Sequence, residues 1–508
     1  MKMDHHFPRA SATTARSCRA SSSPAPPPAA GSDRSSTTTT MRVAVIGAGA
    51  AGLAAARELR REGHAPVVFE RGGGVGGTWI YDEPRDREEG GGHRHHSSLY
   101  ASLRTNLPRE VMGFLGFPFA AAAVPESVDP RRFPRHEEVL RYIQEFARRF
   151  ELYDLVRFRT EVTAVMMMTT AAGGSVKNQM SQSHGGGWRV RWRKLFVADD
   201  ADAAAAAAEE EEGEEPFDAV VVCNGHYTEP RIADIPGIEA WPGKQMHSHS
   251  YRVPDPFVDQ VVVIIGAKNS GGDISRDIAG VAKEVHMANR ASPAATRERL
   301  PGHRNLWLHS MVSRAAADGA VVFRDGTSVK ADVILHCTGY KYSFPFLSGG
   351  GDDDGAAVVS VHDNRIHPLY KHVFVPRMAP RLAFIGLPFK VIPFPLAQLQ
   401  ASWVAGALSG RIRLPSEEEM MEDVGALYAE MEAAGWPVRY THCLKHSQFQ
   451  YDEWLAEQCG HAGVEEWRKE MYDDASKKKA DCPETYREQW DDHHLLEQAY
   501  QDFQKYIL

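Results

Sequence analysis

Two glycine-spaced turns carry the most specific chemistry in this 508-residue chain. The first lies in MRVAVIGAGAAGLAAARELRREGHAPVVFER, where Gly47, Gly49 and Gly52 stand as G-x-G-x-x-G. Gly47 allows the tight turn, Gly49 lets a pyrophosphate approach the backbone, and Gly52 lets the following helix pack against the preceding strand. Ala50 and Ala51 open that helix, whose free N–H groups favour phosphate. Glu70 ends the next strand, where an acid accepts hydrogen bonds from an unphosphorylated ribose. The second turn is Gly266-Ala267-Lys268-Asn269-Ser270-Gly271, with Lys268 in place of the middle glycine. Its following strand ends at Arg290, the place of Glu70 in the first unit. An acid there repels a ribose 2′-phosphate and an arginine binds it. The first site therefore reads as FAD or NAD, and the second as NADPH.

A third stretch, WPGKQMHSHSYR (241–252), holds two histidines two residues apart and a tyrosine four after the first. A metal reading fails for want of a third and fourth ligand nearby. The glycine-flanked His93, His95 and His96 read as loop. Cys18, Cys223, Cys337, Cys443, Cys459 and Cys482 are scattered with no C-x-x-C pair. That argues against a redox dithiol and points to a reducing compartment.

These residues need a scaffold. Hydrophobic residues make up 43% and charged residues 25%, an ordinary globular composition. No apolar run reaches the ~20 residues of a membrane span. Net charge is −9, yet nine acids and no base lie between Asp199 and Glu215. The remainder is balanced, and nothing suggests a nucleic-acid surface. Residues 1–40, rich in Ser, Ala, Pro, Thr and Arg, read as a disordered extension with the composition of a plastid transit peptide. The expected location is the cytoplasm, with the plastid as alternative. Residues 166–187 and 198–215 are low-complexity and read as surface loops on a β-hairpin built around WRVRWRKLFV. Val139, Ile143, Phe146 and Phe150 predict an amphipathic helix over 135–150. The strands ending at Cys223-Asn224-Gly225 and Cys337-Thr338-Gly339 bracket the second unit, as an insertion would. The expected fold is α/β: two Rossmann-like domains, with 229–331 inserted between 41–228 and 332–508.

Over roughly 41–415 the chain resembles flavin-containing monooxygenases. Gly243, His247 and Tyr251 match that family's F-x-G-x-x-x-H-x-x-x-(Y/F) fingerprint, with Trp241 where Phe is usual. Gly76–Trp79 (GGTW), SSLYASLRTNLPREVMGF, SGGDISRDI, HCTGY and IPFPLAQLQASWVAGALSGR follow in family order. The wording is closest to the plant branch similar to glucosinolate S-oxygenases. The resemblance implies FAD at the first turn and NADPH at the second. It implies Asn106 as the active-site asparagine and Gly77, Thr78 and Trp79 beside the flavin. Gln400 would approach the flavin pyrimidine, and His247 and Tyr251 would seat NADP and link the domains. The implied chemistry is a hydroperoxide at flavin C4a that passes one oxygen from O2 to a soft nucleophile. A thioether stays neutral at pH 7, whereas an alkyl amine with pKa ~10 is protonated. S-oxygenation of a methylthioalkyl compound is the expected reaction. N-oxygenation, oxygenation of an indole keto acid or ketone, and a non-catalytic FAD-binding regulator are the alternatives.

Overall fold

The computed structural model describes residues 40–83, 97–120, 127–168, 187–195, 211–347 and 358–506. The expectations for His93, His95, His96, residues 1–39 and most of both low-complexity loops fall outside them.

Arg42–Ile46 and Val261–Ile265 are β-branched runs buried from their second residue onward. Such continuous burial fits central strands of parallel sheets covered on both faces. The first sheet runs Leu382–Phe384, Ala219–Val222, Arg42–Ile46, Ala65–Phe69, Val156–Arg157, all parallel. The second runs Arg297–Arg299, Leu306–Ser310, Glu284–Asn289, Val261–Ile265, Val333–His336, Lys244–His247, parallel except at its first strand. The chain leaves the first sheet after Val222 and returns at Leu382. The two crossings meet as a short antiparallel pair, Glu229–Pro230 with Tyr340–Lys341. The second unit is thus inserted into the first.

Val333–His336 lies in the second sheet, between Val261–Ile265 and Lys244–His247. The expected boundary at 331 therefore falls one strand early. The reason is local symmetry: the strand that ends at Cys337 serves the second turn as the strand that ends at Cys223 serves the first.

The expected hairpin is a three-stranded antiparallel sheet, Thr160–Met167, Trp188–Lys194 and Glu212–Phe217. Its third strand comes from the end of the acidic run, so 198–215 is not loop throughout. Glu214 bonds Arg191 and Arg189 at 3.0 Å each across the strands. Glu215 is gripped by Arg157 and Arg42, and accepts from Trp192 Nε1 at 3.1 Å. Arg157 foremost, with Arg42, holds its carboxyl down at about 2. Arginines on the neighbouring strand, with Arg42 and Arg157, thus pair two of the three glutamates of this strand.

The helix His136–Arg149 buries Val139, Tyr142, Ile143 and Phe146. Phe114 and Phe394 stack against this face, Phe114 lying 4.1 Å from Phe146. Pro393–Leu408 is buried along almost its whole length, which marks an interior helix rather than a surface one. It packs on the first-unit helix Ala50–Arg61. Helices Glu417–Ala433, Gln448–Cys459, Glu466–Asp481 and His493–Phe503 complete the chain. Among the described residues no helix is long and apolar enough to cross a membrane.

Candidate active site

The two turns are built alike. Gly47 has φ +105° and Gly266 φ +108°, a region that only glycine enters cheaply. A Cβ on Gly47 would stand 2.6 Å from the Cys223 carbonyl oxygen, and one on Gly266 2.5 Å from that of Cys337. A Cβ on Gly52 or on Gly271 would meet the preceding turn's carbonyl oxygen at 1.8 Å. Both helices therefore sit against their strands with no room for a methyl group. The middle position differs: Gly49 and Lys268 are both extended N-caps, at φ −76° and −97°. Any residue adopts that backbone, which explains why Lys268 is tolerated there.

At the first turn Gly49 and Gly77 face each other closely; a Cβ on Gly77 would lie 2.9 Å from the Gly49 Cα. The half-buried N–H groups of Ala50 and Ala51 open beside them. A backbone cradle next to a helix N-terminus fits a pyrophosphate. Glu70 is buried, its Oε2 accepting from Ala48 N at 2.8 Å and its Oε1 from Gly72 N at 2.6 Å. The carboxylate thus braces the turn itself and keeps lone pairs for a ribose. Thr78 accepts from Ser97 Oγ at 2.9 Å through its carbonyl. The half-buried Trp79 ring meets Phe394 edge-on at 6.4 Å.

Gln400 does not face this cradle. It is fully buried in the middle of its helix. Its Oε1 accepts from Gly386 N at 2.9 Å and its Nε2 donates to Tyr451 Oη at 3.1 Å. Gly386 in turn backs onto Ala51, 3.2 Å from where its Cβ would stand. Gln400 thus supports the wall behind the first turn, while the helix start at Pro393 is the end that could approach a ligand.

Asn106 sits half-buried in a tied-down loop. Thr105 N donates to Pro134 O at 2.8 Å, Thr105 Oγ1 to Leu107 O at 2.9 Å, and Arg104 Nε to Phe133 O at 2.9 Å. The Asn106 side chain has no hydrogen-bond partner among the described residues, so its amide remains available to a ligand.

At the second turn Asn269 is exposed and Ser270 half-buried at the helix start. Arg290 is exposed at its strand's end, without a side-chain partner among the described residues. A guanidinium left in solvent there fits a phosphate better than a hydroxyl.

The stretch 241–252 is internal architecture. His247 Nε2–H donates to Gly339 O at 3.0 Å, and its Nδ1 accepts from His249 N at 3.0 Å. Burial draws its imidazole down to about 4. Tyr251 Oη donates to Asp277 at 2.6 Å, and its ring meets Tyr100 edge-on at 5.6 Å. Both residues spend their polar atoms within the protein, and of the two it is the Tyr251 ring that touches a first-unit residue, Tyr100. Trp241 donates its Nε1–H to Gly319 O at 3.1 Å, and a Cβ on Gly243 would strike its ring at 2.2 Å. No cluster of metal ligands exists among the described residues.

Rings wall the crossing between the units. Tyr227 lies 5.4 Å from Tyr340, Tyr340 lies 5.1 Å from His247, and His226 lies 5.5 Å from Tyr342. Burial among them holds the His226 imidazole down at about 4. These two histidines are neutral at physiological pH, so the wall of rings carries no charge.

Sequence reasoning missed the tie between the Asn106 loop and the second unit. Ser102 Oγ donates to Asp277 at 2.8 Å and Tyr100 Oη to Asp273 at 3.4 Å. The i, i+4 spacing of Asp273 and Asp277 in SGGDISRDI was the available signal.

With this geometry in place, the comparisons are specific. Residues 40–297 and 305–463 match the family model described as flavin-binding monooxygenase-like. "Flavin-containing monooxygenase FMO GS-OX-like 4" of Arabidopsis thaliana is 54% identical over 472 residues, covering 91% of this chain and 97% of that protein. The structure of S-allyl-L-cysteine S-oxygenase from Allium sativum superimposes with TM-score 0.81 at 53% identity, covering 92% of this chain and 99% of that one. Tmm from a Pelagibacter species, with TM-score 0.67 at 22% identity over 88% and 93% of the two chains, shares the fold.

Proposed function

The chain belongs to the flavin-binding monooxygenase-like family, and we propose that within it the enzyme is an S-oxygenase that converts alkyl thioethers, methylthioalkyl compounds foremost, to sulfoxides. It is an oxidoreductase that uses FAD and NADPH. Bound together, these supply the hydride and the route by which O2 is split between product and water. The balance is thioether + O2 + NADPH + H⁺ giving sulfoxide + H2O + NADP⁺.

The observation that carries the reading is the likeness to an S-oxygenase over 92% of the chain at 53% identity. The site chemistry supports it. FAD belongs at the Gly47 turn, whose Glu70 suits a plain ribose, and NADPH at the Gly266 turn, whose Arg290 suits a 2′-phosphate. The Asn106 amide orients the reacting groups by hydrogen bonding. The buried Tyr342 and half-buried Tyr340 limit water at the crossing, so that oxygen reaches the substrate rather than leaving as H2O2. Burial leaves His226 and His247 weak bases, drawn down to about 4, so neither readily takes a proton from an alkylammonium. A thioether needs no such step; an amine does.

The test is a mixed panel of methylthioalkyl compounds, primary amines and ketones turned over with NADPH, with products read by mass spectrometry. Thioethers gain one oxygen fastest. Oxygenated amines or ketones beside untouched thioethers would remove the S-oxygenase reading and leave the monooxygenase.

A further inference from the structure

The Asn106 loop and the helix Asn269–Ala279 belong to different units, and one guanidinium from the far end of the chain joins them. Arg487 lies between the helices Glu466–Asp481 and His493–Phe503. Its Nε–H donates to Thr105 O at 3.0 Å and its Nη2–H to Arg104 O at 3.4 Å. The same fork grips Asp273, with Nη2 to Oδ2 at 2.7 Å and Nη1 to Oδ1 at 3.3 Å. Its neighbours reinforce the grip. Glu484 accepts from Arg276 at 2.6 and 2.8 Å, and Lys479 Nζ donates to Asn269 Oδ1 at 2.8 Å. Segment 479–488 thus touches the second-unit helix at 269, 273 and 276 while holding the main chain one residue before Asn106.

A fork with all three nitrogens engaged has one geometry, because the guanidinium is planar and rigid. If the helix shifts, Asp273 moves, and Arg487 must move with it or release the two carbonyls. We propose that Arg487 is a positioning residue for the reaction: it makes the placement of the Asn106 loop follow the seating of the helix that carries the second nucleotide turn. This rests on the role of Asn106 given above. It assigns a catalytic consequence to a segment that lies beyond the glycine turns and the fingerprint. The consequence is coupling: NADPH oxidation ends in product only while the loop is held.

The test uses the full chain loaded with FAD and three variants, Arg487→Ala, Arg487→Lys and Asp273→Asn. Amide hydrogen exchange over residues 100–107 reads the loop directly and needs neither turnover nor substrate. In Arg487→Ala it accelerates by about tenfold or more, because the local opening energy falls. Asp273→Asn keeps the shape and loses the charge, and moves exchange the same way by less. NADPH consumption stays within about threefold, while the share of H2O2 rises about fivefold or more, as loss of orientation requires. Arg487→Lys recovers part of the coupling. Combining Arg487→Ala with Asp273→Asn adds little further, since the two share one contact and an amide oxygen at 273 can still accept from Tyr100 Oη. Wild-type exchange and coupling in both Arg487→Ala and Asp273→Asn overturn the proposal. If Arg487→Ala sheds FAD, Asp273→Asn decides alone, and unchanged exchange there overturns it. Failure of the thioether panel with intact wild-type coupling would instead count against the substrate reading.

Discussion

Glu70 and Arg290 end the second strands of the two glycine-turn units, one buried against its own turn and the other exposed with no side-chain partner among the described residues. Glu70 has a structural task even without ligand; Arg290 has none. Arg290→Glu is therefore expected to leave the fold intact and to lower the NADPH-over-NADH preference tenfold or more. A lost charge-assisted bond of ~1.5–3 kcal/mol has that size. Steady-state kinetics with both nucleotides checks it, and an unchanged ratio would take Arg290 out of the site.

Asn106→Ala is expected to retain FAD and to oxidise NADPH near the wild-type rate. On the proposed reading the glycine turns hold the cofactors, and the Asn106 amide has no hydrogen-bond partner among the described residues. Product should fall about tenfold or more, the scale of one lost orienting hydrogen bond, with H2O2 rising in its place. Product yield per NADPH is the measurement; a wild-type yield would leave the residue a bystander.

Deleting residues 199–210 should leave turnover within about twofold, because that tract has too little apolar content to pack. Glu215→Ala is a different matter. It strips a carboxylate from two arginines and an indole N–H, a loss of ~1–3 kcal/mol, and should lower Tm by several degrees. Equal Tm values for the two variants would show that the third strand contributes nothing.

What the sequence could disclose follows contact range. The glycine turns, the helix His136–Arg149 and the place of Arg290 depend on neighbours within about thirty residues, where spacing speaks directly. Order along the chain puts Val333–His336 with the first sheet, because its pairing with Val261–Ile265 and Lys244–His247 leaves no local mark. Gln400 was aimed at the cofactor because a motif gives position in order, not direction, and its helix is buried on all sides. The glutamates at 212–215 read as solvated because Arg42 and Arg157 lie far off in sequence. The tie from Arg487 to Asp273 spans 214 residues and had no pattern to betray it.

The last expectation concerns acid. His247 presents Nε2–H to Gly339 O and a bare Nδ1 to the N–H of His249. Protonation at Nδ1 would set two donors against each other in a buried site, beside His249 and His336. Burial accordingly holds the folded pKa at about 4, below the ordinary 6.5. Between those values the unfolded chain binds more protons than the native one, so stability rises with pH. The contribution is complete above pH 6.5 and is lost as pH falls toward 4, by up to about 1.4 kcal/mol per pH unit. His226 and His372, both also held near 4, push in the same direction, so the wild type alone cannot isolate one ring. His247→Gln can: its amide N–H reaches toward Gly339 and does not titrate. The variant should be less stable than wild type at pH 7.5, and the gap should narrow or reverse by pH 5. Thermal release of flavin fluorescence at both pH values measures it. A gap that stays constant with pH would mean that His247 is not the group whose protonation strains the contacts to Gly339 and His249.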